Sequence, residues 1–366
     1  DEEIKIKDEE RAKKYLNICV EACKVIMDDK ELKLNDSYQG NYNSIDLSKN
    51  PEMIFYKPYS KNTLMHSLID YTVNTGGTNG MTKDAFDNYL FLDGKPLATT
   101  TLNKTDAPKM VIVNVQKKVD GVMKTVQDTS YNIKHLFAVR DKRLGVTLDT
   151  VLAFKGKAYS RAGSNAFTST TGYGVAKYDN PQLLTTTERN NINRQYTDAP
   201  IYWLSVIYLN YAEAMAELGT ITQNDLNKSV NLLQARAGLP NMTLTPDADP
   251  ANNMGVSNLL WEIRRARRCE LMFDNWYRYW DLIRWHQLEL VDSKAPPNIY
   301  RGANMTTVDK PQVELDTLNN AAPWEIYMAG SNTRKQVRTY DKKYYFYPIP
   351  TGQKALNGNL EQNPGW

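Results

Sequence analysis

Apolar residues recur at helical spacing in three parts of the chain. Between Asp8 and Asp28, Ala12, Tyr15, Leu16, Cys19, Ala22, Cys23 and Ile26 share one face, which predicts a helix. A second pattern begins at Ile201. The run "IYWLSVIYLNYAEAMAEL" ends at Gly219, and "QNDLNKSVNLLQARAGLP" ends at Gly238–Leu239–Pro240. Glycine after one helix and Gly-x-Pro after the next are the expected stops. The third is a stripe of Leu259, Ile263, Ala266, Cys269, Phe273, Trp276, Trp280 and Ile283, with a turn placed at Asp274–Asn275. This spacing assigns Trp261, Trp276, Trp280 and Trp285 to the helical core.

The rest of the chain is patterned differently. "EMIFY" reads as a strand or an extended piece, and "MTKDAFDNYLFLDGKP" as a short helix opened by Thr82 and closed near Asp93–Gly94. Two β-branched runs flank Asp120–Gly121, which predicts a hairpin near residues 110–128. Residues 156–200 are rich in Gly, Ser, Thr and Asn and read mostly as loop. Two helices joined by a short turn, near residues 201–237, have the size of a tetratricopeptide repeat.

Charge changes the picture at the third helical segment. "RRARRCELMFDNWYRYWDLIRWHQ" carries Arg264, Arg265, Arg267, Arg268, Arg278 and Arg284. Acids are interleaved with them, notably Glu262, Glu270, Asp274 and Asp281, which makes the segment an ion-paired helix pair, not a basic membrane-surface helix. The chain as a whole has 45 Lys and Arg against 42 Asp and Glu, a net charge of +3, too even for a nucleic-acid footprint. No apolar run is long enough to span a membrane, and the charged start "DEEIKIKDEERAKK" has no export-signal pattern. The three cysteines form no disulfide framework and are expected as buried small side chains, and His66, His135 and His286 share no metal-ligand spacing. Neither a metal nor a cofactor is expected.

In order along the chain, several stretches resemble one family. "IRRARRCELMFDNWYRYWDLIRWHQ" is similar to the Arg/Glu-rich helix, turn and Asp-Leu-x-Arg-Trp segment of SusD-like (RagB/SusD) proteins, with Asn275 where a Gly is common. "FAVRDKRL" resembles the family's Arg-Asp-Pro-Arg-Leu, with Lys142 replacing Pro. "TSTTGYGVAKY" followed by "IYLNYAEAMAELG", and the ending "YYFYPIPTGQKALNGNLEQNPGW", match further motifs. "NPEMIF" and "DAFDNYLFLDG" resemble segments that precede the Arg-Asp motif.

The resemblance implies a mainly α, SusD-like fold, in which tetratricopeptide-like helix pairs pack against a loop-rich region with short strands and one hairpin. The expected divisions are a helical scaffold segment at 1–30, a loop-rich ligand-facing region at 31–200, helix pairs at 201–290, and a second loop-rich region with the terminal motif at 291–366. It further implies an outer-membrane, surface-exposed lipoprotein that captures glycan and passes it to a TonB-dependent SusC-like transporter. A lipidated N-terminus would supply the membrane attachment. That segment is expected to precede this chain, which starts in what looks like the second half of a repeat. A peptide receptor of the same family and a tetratricopeptide adaptor are the alternatives.

Tyr71 and Asn74 in "LIDYTVNTGGTNG", and Trp324 and Tyr327 in "AAPWEIYMAG", are the candidate ligand contacts, since rings stack on sugar faces while amides bond hydroxyls. Tyr173 and Lys177 match a family motif and are expected to be structural. No enzyme motif is present. Asp141 and Asp281, the obvious carboxylates, are flanked by arginines and suit ion pairs better than acid–base catalysis.

Overall fold

The computed structural model describes residues 8–69, 80–152, 169, 171–292, 301–304, 306–307, 325–327 and 339–366. The helices are α1 (Glu9–Met27), α2 (Lys83–Asp87), α3 (Lys134–Phe137), α4 (Lys142–Thr147), α5 (Thr186–Asn190), α6 (Leu204–Glu217), α7 (Gln223–Asn227), α8 (Val230–Ala237), α9 (Asn258–Glu270), α10 (Tyr277–Arg284) and α11 (Thr351–Leu356). The strands are β1 (Met53–Lys57), β2 (Lys109–Val119), β3 (Val122–Asn132), β4 (Ala199–Trp203), β5 (Arg301–Asn304) and β6 (Glu325–Tyr327). They form three two-stranded antiparallel sheets, β1–β4, β2–β3 and β5–β6.

Helix α6 is the centre of the scaffold, with α1 on one side and α9 on another. Val20 and Cys23 of α1, Val206, Leu209 and Ala212 of α6, and Ile263 and Ala266 of α9 are buried in one apolar cluster. Alanines on α6 let its neighbours approach closely. Cys19, Cys23 and Cys269 are free thiols, the last two buried.

Local chemistry explains the element ends. Thr82 caps α2 through a bond from the Ala85 amide, and Asp8 caps α1 likewise from Arg11. Asp120 and Gly121 both have positive φ, 53° and 83°, the requirement of a two-residue hairpin turn. Gly238 ends α8 at φ 76°, where an added Cβ would also meet Lys142 Cε at 2.7 Å.

Three boundaries differ from the sequence expectation. Residues 199–203 form a strand before α6 starts, because the β-branched and aromatic run pairs with β1. The following helix is broken at Lys228–Ser229 into α7 and α8. Helix α2 ends at Asp87, with Asn88 as its C-cap, well before Gly94.

The arginines of α9 are ion-paired, as the interleaved acids predict. They face inward: Arg264, Arg265 and Arg267 are 7%, 5% and 5% exposed. Each has a carboxylate partner, often distant in sequence. Arg264 reaches Glu217 at 2.7 Å, Arg267 reaches Asp281 at 2.7 Å and Arg268 reaches Asp84 at 2.5 Å. Arg265 pairs with Asp249 and Glu262. Glu270 is fully buried between Arg143, at 2.8 Å, and Arg236, which also holds Glu52. Burial pushes the Glu270 carboxyl up, but Arg236 and Arg143 outweigh it and hold the group below the ordinary range.

Replacing Glu270 by Gln keeps the shape and takes one charged partner from each of two buried guanidiniums, leaving Arg143 with Asp141 and Arg236 with Glu52. The expected loss is about 3–5 kcal/mol in urea unfolding, and a loss below about 1 kcal/mol, as for a surface pair, would contradict this role. Acid should act at the α6–α7 junction, where Tyr211 Oη and Thr222 Oγ1 both donate to Asp225 at 2.6 Å. Burial opposes these bonds, yet they lower Asp225 from 3.8 to about 2. A lowered carboxyl stabilises the fold above its unfolded value and loses that contribution as pH falls through the folded value. Melting temperature should therefore drop between about pH 4 and pH 2, less steeply in Asp225→Asn; equal slopes would contradict the assignment.

Candidate functional site

The turn between α9 and α10 is the most strained segment among the described residues. Phe273, Asn275 and Trp276 all have positive φ, 68°, 39° and 59°, in a region non-glycine residues seldom occupy. Surrounding side chains hold it there. Lys177 donates to Met272 O at 2.8 Å and to both Asp274 oxygens at 2.8 Å. Tyr42 Oη and Tyr178 Oη bond the same carboxylate at 2.8 and 3.0 Å, and Tyr178 also donates to Phe273 O at 2.9 Å. Asn275 Nδ2 reaches Pro200 O at 3.2 Å. Lys177 is fully buried and lies 3.8 Å from the Tyr42 ring centroid. Burial pulls the Lys177 amine down and pushes the Asp274 carboxyl up, each opposed by the partner's charge.

The result is an aromatic display. Trp276 is 77% exposed and Trp280 52%, which corrects their assignment to the core. The stripe read from the sequence runs through the turn, but the positive-φ residues reset its phase, and α10 buries Asp281 and Leu282 instead. Asp281 is drawn inward by Arg267, so the polar side chain takes the place an apolar one was expected to take. Trp261 is buried as expected and Trp285 half-buried. Tyr279 lies between the two exposed tryptophans, with centroids 6.4 Å from Trp276 and 5.3 Å from Trp280. Its hydroxyl meets that of Tyr347 at 3.1 Å.

The C-terminal motif sets Tyr347 in place. Gln362 exchanges two bonds with the Ile349 backbone, Asn363 Nδ2 donates to Tyr347 O at 2.6 Å, and the Trp366 indole donates to Phe346 O at 2.9 Å. The Gln-Asn-Pro-Gly-Trp ending is thus a clasp on the "YFYPIP" segment.

Beside this display opens a cleft of about 740 Å³, a size suited to a small ligand. Its lining includes Phe273, Trp276, Arg278 and Tyr279, with Met81, Ala85 and Arg268, and with Tyr59, His66 and Pro200. Tyr59 and His66 stand edge to face at 4.6 Å. Burial holds the His66 imidazole below its ordinary value, so it lines the rim uncharged at neutral pH. The carboxylates here are committed. Asp198 accepts from the Leu47 and Tyr59 amides, Asp274 holds Lys177, and Asp281 holds Arg267 and Arg284.

Of the ligand contacts expected from the sequence, Tyr71, Asn74 and Trp324 lie outside the described residues. Tyr327 closes β6 opposite Arg301, and its side chain also lies outside the description. Tyr173 and Lys177 are fully buried, in keeping with a structural role. Asp141 is buried against Arg143 at 2.6 Å.

Among known proteins, the SusD family model matches residues 25–366. A SusD-like carbohydrate binding protein from Bacteroides fragilis NCTC 9343 superposes with a TM-score of 0.66 at 19% identity, over 96% of this chain and 62% of that one. A SusD-like protein from the same strain gives 0.58 at 19%, over 97% and 62%. A SusD superfamily protein from Parabacteroides distasonis ATCC 8503 gives 0.51 at 15%, over 97% and 58%. The chain therefore spans less than two thirds of the length of these relatives, and no curated protein matches it. With the family match running from α1 to the C-terminal clasp and the architecture shared by solved relatives, the chain belongs to the SusD family and has its mainly α fold.

Proposed function

We propose that this chain captures carbohydrate at the cell surface, as part of a lipid-anchored outer-membrane receptor that hands its cargo to a TonB-dependent SusC-like transporter. Family membership supports the class, and the fold's first-named relative is described as carbohydrate binding. The observation that carries the reading is Trp276, a large ring displayed to solvent on a turn that buried groups hold in a costly conformation. An exposed, pre-positioned indole offers a flat apolar face to the CH face of a sugar, at little further entropic cost. The cleft draws on the helical turn as well as on the loops around Tyr59 and His66, so scaffold and loops share the binding surface. The committed carboxylates support binding without hydrolysis, which would need a free pair across the scissile bond. The exposed face of α1 is left to face the transporter in this proposal.

Affinity gel electrophoresis against starch, mucin O-glycans, xylan, mannan and glycosaminoglycans tests it, with reducing ends assayed in the same samples. Retardation by one glycan without release of reducing ends is expected. Trp276→Ala should weaken that retardation at least about tenfold while stability stays within about 0.5 kcal/mol, as for exposed sites. Retardation by no glycan, release of product, or an unaffected variant would contradict the proposal.

A further inference from the structure

Within α9 and α10 the arginines follow one rule with one exception. Arg264, Arg265, Arg267, Arg268 and Arg284 each hold a carboxylate. The Arg278 side chain makes no hydrogen bond and no ion pair among the described residues; its guanidinium carbon lies 5.8 Å from the centroid of the Trp285 ring. It is not a surface arginine turned to water, because it lines the cleft described above and also a second cleft of about 460 Å³. Arg268 and Thr82 line both clefts with it.

Asp84 and Asp281 attract Arg278 through space, but neither bonds it. Asp84 is taken by Arg268, and Asp281 by Arg267 and Arg284. Burial in the cleft wall, and then the neighbouring Arg268 charge, pull the guanidinium down to about 9. A cation in that setting gains from any anion that reaches it, and a guanidinium fork fits a carboxylate or sulfate with two parallel bonds.

We infer that Arg278 is an anion-recognition residue and that the glycan captured in this cleft is acidic, carrying a carboxylate or sulfate that meets Arg278 while a neighbouring ring stacks on Trp276. The inference rests on the capture proposal and narrows its ligand class. The rings supply a contact that any sugar can use, and the unpaired cation supplies the discrimination. A neutral glycan would leave Arg278 desolvated and unpaired, which is the costly arrangement.

Isothermal titration with oligogalacturonate, chondroitin sulfate oligosaccharides and maltoheptaose separates the possibilities, using the protein and its Arg278→Gln variant. Binding of an acidic oligosaccharide is expected, weakening with added salt, with at least a tenfold loss in Arg278→Gln. Chondroitin sulfate presents both carboxylate and sulfate, so binding that persists with unsulfated chondroitin oligosaccharides would assign the anion as carboxylate, and binding lost with them would assign it as sulfate. The melting temperature of Arg278→Gln should equal or exceed that of the parent, because a half-buried charge with no ion-pair partner is removed. Acidic binding that survives Arg278→Gln overturns the inference, as does a large drop in melting temperature, which would mark Arg278 as structural. Binding of maltoheptaose alone overturns it and leaves the capture proposal standing. Binding of none of these, together with no retardation by any polysaccharide, overturns both.

Discussion

The structure depends on charge held inside a helical scaffold. Glu270 ties the end of α9 to Arg143 in the first turn of α4 and to Arg236 on α8, and Arg236 continues to Glu52 beside β1. One residue thereby joins segments that apolar packing alone would leave free to slide. A few residues on, Lys177 and Asp274 repeat the device around the turn that follows α9. Buried ions are poor sources of net stability, because desolvation offsets much of the Coulomb gain. Their value here is positional. Each pair is satisfied in one arrangement, so the loops that carry the partners are fixed relative to the helices.

That positional constraint is what reaches the surface. Three non-glycine residues at positive φ would relax to a commoner backbone if the turn were free. Lys177, Tyr42, Tyr178 and Asn275 remove that freedom, and Phe273 and Trp276 are turned outward as a consequence. The C-terminal clasp sets Tyr347 beside Tyr279 and extends the aromatic surface. Two motifs that look purely structural in the sequence, the segment ending in Lys177 and the Gln-Asn-Pro-Gly-Trp terminus, therefore shape the candidate site.

Much of this was legible before the structure. Thr82, Asp120–Gly121, Gly238 and the turn at Asp274–Asn275 are local signals, and local chemistry decides them. The family motifs announced the fold. What periodicity could not supply was direction. It paired the charges of α9 and α10 without showing that they are buried, and it placed all the tryptophans inward, whereas Arg265 and Asp281 are buried and Trp276 and Trp280 are exposed. The reason is that the partners of the inner charges of α9, among them Asp84, Glu213, Arg236 and Asp249, lie on other segments and leave no trace in the spacing of this one. The departure at Asn275, where glycine is common, was the available hint that the turn carries strain. Tyr71, Asn74 and Trp324 fall outside the described residues, so their proposed ligand contacts rest on the sequence.

The central claim is that buried ion pairing holds the turn that presents the aromatic surface. Hydrogen exchange on Lys177→Met tests it most directly, because the Asp274 and Tyr277 amides are bonded within the turn, at 3.1 and 2.9 Å. The account predicts at least about tenfold faster exchange there, with α6 still protected, since local opening is released without global unfolding. Unchanged protection of residues 271–277 in the variant would show that the turn holds its shape without Lys177, and would contradict the account.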